Sequence, residues 1–414
     1  MIAIGKQTYR WVIVLAGILG LFAGLGLGRF SLGMMLPGMG SALTLSYSQM
    51  GVIGTVNFCG YLGAVLLCGA LTARFGARYL ITLGLLLVAG SMILVGFSSS
   101  YLWILLLYFL TGIGSALSNV PIMALMAVWF EASSRGRAAG LCLVGNGLGI
   151  LVSGKWVPVL NGYNGGWRVS WVVLGCLAGL IAVACFTLIR NRPAEDTPAA
   201  VELDSVSLVN GAWRPTGLAE GKKIFYHCGA IYFLFGLTYV IYVTFFVSAM
   251  VQDRGLSEQA AGDLWAWVGV LSLISGPLFG YLSDKYGRKA ALVGVFSIQS
   301  VAYVLVALPY GMLPVYISLC FFGMVVWSIP TIIAALIGDY AGPERTAAMF
   351  GFVTFLFGIG QIAGPLWAGF IAEQSGSFSV SFLVAGLLAF GAVVLSLLLP
   401  GQNDKAIVSF LYRK

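Results

Sequence analysis

Apolar residues along the chain gather into twelve runs of roughly bilayer length, each about 20 residues, separated by short polar breaks. The first six cover 11–36, 49–73, 79–97, 102–129, 138–160 and 167–189. The second six cover 224–249, 260–283, 289–308, 312–337, 347–371 and 378–400. Runs of this length predict membrane-spanning helices, which satisfy their own backbone hydrogen bonds in lipid. The first run is too long for a signal-peptide core and has no small-residue cleavage site after it, so it is expected as a true span.

Composition agrees with that pattern. The 414 residues are 60% hydrophobic and only 9% charged, against about 25% charged in a soluble domain. Charge then sets the expected orientation. With both termini cytoplasmic, eighteen cations fall inside, among them Lys6, Arg10, Arg74, Arg78, Arg135, Arg137, Arg288 and Lys414. Only Arg168 and Arg254 fall on outer loops, while Arg29 and Lys155 lie within spans. The net charge of +8 is therefore a topology signal, with no need of a nucleic-acid partner. The seven cysteines all lie in spans without metal-ligand spacing and are read as packing residues, so no metal and no cofactor is expected.

A shift of 211 residues lays the second half on the first without a gap. Gly69 meets Gly280, Gly76 meets Gly287, Gly149 meets Gly360, Trp156 meets Trp367, Ser170 meets Ser381 and Gly175 meets Gly386. The expected organisation is a six-helix bundle over 1–190, a cytoplasmic linker over 191–223 and a second six-helix bundle over 224–414. Parallel repeats of this kind place substrate at their interface, with alternating access by rocking.

The loop "GYLSDKYGRKAAL" (Gly280–Leu292) and its first-half copy "GALTARFGARYL" (Gly69–Leu80) resemble the signature loop of the major facilitator superfamily. The fold implied is all-α, with twelve transmembrane helices in two pseudo-symmetric six-helix bundles. "WFEASSRGRAAGLCLVGNGLG" (Trp129–Gly149) is similar to monocarboxylate and organic-anion porters, and "GLGLGRF" (Gly24–Phe30) resembles a bacterial subgroup of facilitators. Three departures stand out. Ala73 replaces the acid of the first loop, Tyr108 stands where many members carry an arginine, and the antiporter Gly-Pro run of the fifth span is missing.

The resemblance implies that spans one, four, seven and ten line the cavity. Helical spacing puts Tyr108, Thr111, Ser115, Ser118 and Asn119 on one stripe of the fourth span, and Tyr232, Phe235, Tyr239, Tyr242 and Phe246 on one stripe of the seventh. Trp327 is the tenth-span candidate. Hydroxyl stripes also serve as interhelical glue, and aromatic stripes as packing. Arg29 and Lys155 are the sharper substrate candidates, because a basic side chain at a span centre costs about 2.5–3.5 kcal/mol on insertion scales. All acids fall in loops or near span ends, so neither cation has an obvious deep carboxylate partner. They either meet an anionic substrate or snorkel to the headgroups. The signature loop implies a conformational latch with Asp284 and Arg288, together with Arg74, Arg78 and Arg135; Asp284 is expected to face the start of the fifth span. Asp263 and His227 are candidates for a coupling proton, or else interfacial residues.

The function expected is secondary transport of a small organic anion such as a carboxylate, by a monomeric unit in a bacterial inner membrane. Multidrug or metabolite efflux and a transporter-like solute sensor are the alternatives. No nucleotide loop or nucleophile–base spacing points to an enzyme.

Overall fold

The computed structural model describes residues 6–193, 219–341 and 345–400. The reading of 191–223 as a linker therefore lies mostly outside the described residues. Among those residues there is no strand, and twelve helices are long and apolar enough to cross a membrane. The first six are Tyr9–Leu43, Tyr47–Phe75, Ala77–Phe97, Tyr101–Trp129, Ser134–Asn161 and Trp167–Leu188. Ile224–Gln252, Glu258–Tyr286, Arg288–Ala307, Leu313–Ala341, Ala348–Ser375 and Phe378–Leu397 follow. The apolar runs thus locate every span, with ends displaced by a few residues because helices continue past the hydrophobic stretch.

The spans turn large apolar side chains outward: Leu66, Leu102, Trp103, Leu387 and Phe390 are exposed, whereas Ser91, Ser115, Ser170 and Ser381 are buried. This suits a lipid solvent, in which close helix contact relies on small residues and hydroxyls rather than on burial of leucine.

The chain divides into two compact units. One combines described residues within 1–205 with Phe246–Leu273, and the other takes the remainder of the second half. In the first unit, Gly26 of the first span lies against Gly149 of the fifth, where an added Cβ would sit 2.8 Å from the Gly149 Cα. The fifth span also meets the start of the eighth: an added Cβ at Gly154 would sit 2.6 Å from the Gly262 carbonyl oxygen.

The internal repeat is visible in matching local geometry. Gly76 and Gly287 both break a helix with positive φ, +82° and +90°, a conformation open to glycine at little cost. Ser170 donates to the Val157 carbonyl and Ser381 to that of Ala368. Gly175 packs on Ala89 and Ile93, while Gly386 packs on Ser300 and Val304. Each pair is related by the same 211-residue shift.

Two spans depart from plain α-helix. Within the first, Phe22–Phe30 is π-helix; the counterpart 233–241 in the seventh span is α-helical. The tenth span breaks between Leu313–Val325 and Ser328–Ala341. Pro330 lacks the N–H that would have bonded the Val326 carbonyl across that break.

Candidate functional site

The π-helix is the local feature that positions the site. Its sequence, FAGLGLGRF, contains three glycines, each weak in holding an α-helix. A π-turn carries more residues than an α-turn and displaces carbonyls from their usual partners. The fourth span supplies replacements. Ser115 Oγ donates to the Gly24 carbonyl at 2.6 Å, and Tyr108 Oη to the Arg29 carbonyl at 3.2 Å. Ser31 Oγ donates to the Leu27 carbonyl from within the first span.

Arg29 closes a ring of bonds across three spans. Its Nε donates to Asn57 Oδ1 at 3.1 Å, and Asn57 Nδ2 donates to the Tyr108 carbonyl at 3.1 Å. Tyr108 Oη returns to Arg29. Gly112 lies directly against the Asn57 backbone, leaving no room for a Cβ and holding the second span close to the fourth. The guanidinium carbon stands 4.2 Å from the Tyr61 ring centre and 4.7 Å from that of Phe58. Asn119 Nδ2 fixes the Tyr61 hydroxyl at 2.7 Å.

Arg29 is only 8% exposed, so it does not snorkel to a headgroup layer. Removing a guanidinium from water costs several kcal/mol. A hydrogen bond to a charged group returns about 1.5–3 kcal/mol, and each ring face about 0.5–2 kcal/mol. No described carboxylate pairs with it, and Nη2 is buried without a hydrogen-bond partner among the described residues. A planar cation with one unused donor edge is suited to a carboxylate.

The fourth-span stripe therefore has an occupation of its own. Tyr108 and Ser115 bind first-span carbonyls, Thr111 shares a hydrogen with Ser91 at 2.7 Å, Ser118 bonds the Ser115 carbonyl and Asn119 bonds Tyr61. These side chains hold Arg29 and its niche in place. Asn57 stands out in the sequence as a polar residue within an apolar span, whereas Phe58 and Tyr61 were missed; the spacing that puts Tyr61 one turn beyond Asn57 was the available signal.

Lys155 meets an acid near a span end. Its Nζ lies 2.6 Å from Asp263 Oδ1, so it does have a carboxylate partner. The approach of Gly154 to Gly262 brings the fifth and eighth spans close enough for the two to meet. Gln259 Nε2 also reaches Asp263 Oδ1, at 3.4 Å, and nearby Asn161 Nδ2 donates to Glu258 at 2.7 Å. Both members of the pair are about half exposed, 54% and 45%.

In the second unit Tyr239 stacks between aromatic neighbours, 4.8 Å from Phe235 and 5.9 Å from Phe357, and accepts a bond from Gln361 Nε2. Tyr242 belongs to a different cluster: it stacks on Phe322 at 4.0 Å and shares a hydrogen with Ser318. Trp327 sits at the tenth-span break, where its backbone N–H donates to Ser275 Oγ at 3.1 Å. His227 Nε2 lies 2.8 Å from the Leu395 carbonyl, which requires the ring proton on Nε2.

The residues of the signature loops make local ties. Arg288 pairs with Asp284 and, at 3.2 Å, with Asp339. Arg78 Nε donates to the Phe186 carbonyl at 2.7 Å and its guanidinium covers the Phe186 ring. Arg74 lies over Phe75, and Arg135 reaches the Ala127 carbonyl at 3.5 Å.

Comparison with known proteins adds to this geometry. The family described as "Uncharacterised MFS-type transporter YbfB" matches residues 21–397. The hexuronate transporter of Bacillus subtilis (strain 168) is 27% identical over 383 residues, covering 88% of each chain. Monocarboxylate transporter 2 of Homo sapiens is 21% identical over 370 residues, 84% of this chain and 77% of its own. A solved bacterial homologue of the human lysosomal transporter Spinster shares the fold, with a TM-score of 0.72 over 98% of both chains at 16% identity.

Proposed function

The chain belongs to the family of MFS-type transporters, and from that premise we propose that its cargo is a small organic anion held through Arg29. It is an integral, multi-pass membrane protein that transports a small solute, and not an enzyme. The observation that carries the anion reading is the buried Arg29 guanidinium, with no described counter-charge and Nη2 without a partner. The carboxylate cargoes named for two relatives support it.

In this reading Arg29 binds the carboxylate, while Asn57, Tyr108 and Ser115 hold the guanidinium and the π-helix behind it. Tyr61 and Phe58 form the apolar wall beside the charge. Arg29 is covered in the conformation described, so cargo reaches it in another conformation of an alternating-access cycle. Lys155 is assigned to its pair with Asp263 rather than to cargo. Tyr239, Tyr242 and Trp327 are assigned to shaping the second unit, and Asp284 with Arg288 to bracing the signature loop. The setting proposed is a bacterial inner membrane with both termini cytoplasmic, and a monomeric functional unit. His227 and Asp263 are the groups available to a coupling proton.

A thermal-shift comparison tests the cargo class. Purified protein should melt at higher temperature with glucuronate or lactate than with glucose at equal concentration. Equal shifts with the charged and neutral compounds would remove the support for an anion.

A further inference from the structure

A second cationic site lies where the chain enters its first span. Arg10, Trp11, Phe130, Ser134, Arg137 and Ala138 enclose a cavity of about 200 Å³. Its walls differ in chemistry. Trp11 and Phe130 meet edge to face with ring centres 5.9 Å apart, and Trp11 leaves 52% of its surface exposed. Arg10 and Arg137 make the polar wall with Ser134, whose hydroxyl donates to the Glu131 carbonyl at 3.3 Å.

Four observations give that wall a preference for anions. Arg10 Nε is buried without a hydrogen-bond partner among the described residues. Neither Arg10 nor Arg137 pairs with a described carboxylate. Glu131 is the single acid between residues 1 and 190; it is exposed and makes no side-chain cap to the helix it precedes. That helix, Ala132–Asn161, begins at the cavity, so the positive end of its dipole adds to the two guanidinia.

The cavity at the signature loop of the second unit shows the contrast. It is lined by Arg288 and Lys289, but Arg288 is paired with Asp284 and Asp339, and Lys289 Nζ donates to the Leu399 carbonyl at 2.8 Å. Its cations already have partners.

We propose that the Arg10–Arg137 cavity binds a phosphate group, carried by an anionic phospholipid whose glycerol and acyl region lies against Trp11 and Phe130. Two guanidinia and a helix start match the oxygens of a phosphate. A half-exposed tryptophan at the mouth of a span suits the interfacial layer of a bilayer. Basic pockets between spans take anionic headgroups for the same electrostatic reason. The site is distinct from Arg29 and does not depend on the cargo reading.

Native mass spectrometry on the full-length, delipidated protein tests it, with phosphatidylglycerol as the probe. The unmodified protein should retain the lipid. Arg10→Gln/Arg137→Gln should retain it at least about tenfold more weakly, as expected from loss of charged hydrogen bonds. The charge-matched Arg192→Gln/Lys285→Gln should bind as the unmodified protein does, and phosphatidylcholine should bind more weakly throughout. If the glutamine pair does not fold, Arg10→Lys/Arg137→Lys keeps the charge and loses the fork, and should bind measurably more weakly. Inorganic phosphate is added as a competitor. Displacement shows that free phosphate also occupies the site, and lack of displacement restricts it to lipid; both keep the phosphate assignment. Equal retention with and without the two arginines, or equal loss in the charge-matched pair, overturns it.

Discussion

Tyr108 donates its hydroxyl to the backbone carbonyl of Arg29 at 3.2 Å, while its own carbonyl accepts from Asn57, the residue that accepts from the Arg29 Nε. The arginine is thus fixed at both backbone and side chain by one tyrosine–asparagine pair. Tyr108→Phe removes one bond, worth about 1 kcal/mol, and leaves the charge in place. We expect a modestly lower melting temperature and a higher KM for anion uptake, with little change in protein abundance. An unchanged KM would separate Tyr108 from the site.

Asn57→Asp offers a sharper contrast. It places a carboxylate where Asn57 Oδ1 now accepts from Arg29 at 3.1 Å, and gives the guanidinium an internal counter-ion. Folding should change little: the new ion pair relieves a costly unpaired buried charge, while the bond from Asn57 Nδ2 to the Tyr108 carbonyl is lost. Anion uptake should fall about tenfold or more, since the cargo must displace that carboxylate. Uptake assays alongside thermal melts check both halves. Full uptake by a well-folded variant would argue that Arg29 does not meet the anion.

Gly26→Ala tests the packing behind the π-helix. The added methyl would meet the Gly149 Cα at 2.8 Å, a backbone atom that cannot rotate away. Overpacking of this kind costs about 1–3 kcal/mol. Gly90→Ala, with nothing within 4 Å of the added atom, should be neutral or stabilising by up to about 1 kcal/mol. Melting temperatures of the two variants should therefore move differently; equal shifts would show that the first and fifth spans do not depend on this contact.

Lys155 and Asp263 suit a double-mutant cycle. Their 2.6 Å pair is half exposed, and exposed pairs contribute about 0–1 kcal/mol. Lys155→Ala and Asp263→Ala should each lower stability slightly, with a coupling no larger than that. Anion affinity should stay near that of the unmodified protein. A large loss of affinity in Lys155→Ala alone would restore Lys155 to the cargo site.

How much of this was legible in the sequence follows from the range of the interactions. A spanning helix is written in some twenty consecutive residues, and the repeat in glycines at a constant shift, so spans and signature loops could be read directly. Arg29 stood out because a cation in an apolar run is costly by itself. Its surroundings were not legible. Phe58 and Tyr61 face it only because the second and fourth spans pack at the Asn57–Gly112 contact. The π-helix depends on hydroxyls of Ser115 and Tyr108, about eighty to ninety residues away along the chain. The same distance explains why the fourth-span stripe was open to two readings: Tyr108 and Ser115 look like ligand groups until the carbonyls they serve are in view. Lys155 looked unpaired because Asp263 is 108 residues away in sequence.

The central claim is that Arg29 holds the cargo anion, and uptake of radiolabelled glucuronate and lactate into proteoliposomes tests it most directly. Unmodified protein, Arg29→Lys and Arg29→Gln are compared at equal reconstituted amounts. The account predicts transport of at least one of these anions by the unmodified protein, partial transport by Arg29→Lys, and near-background transport by a folded Arg29→Gln. Anion transport by Arg29→Gln equal to that of the unmodified protein would contradict it.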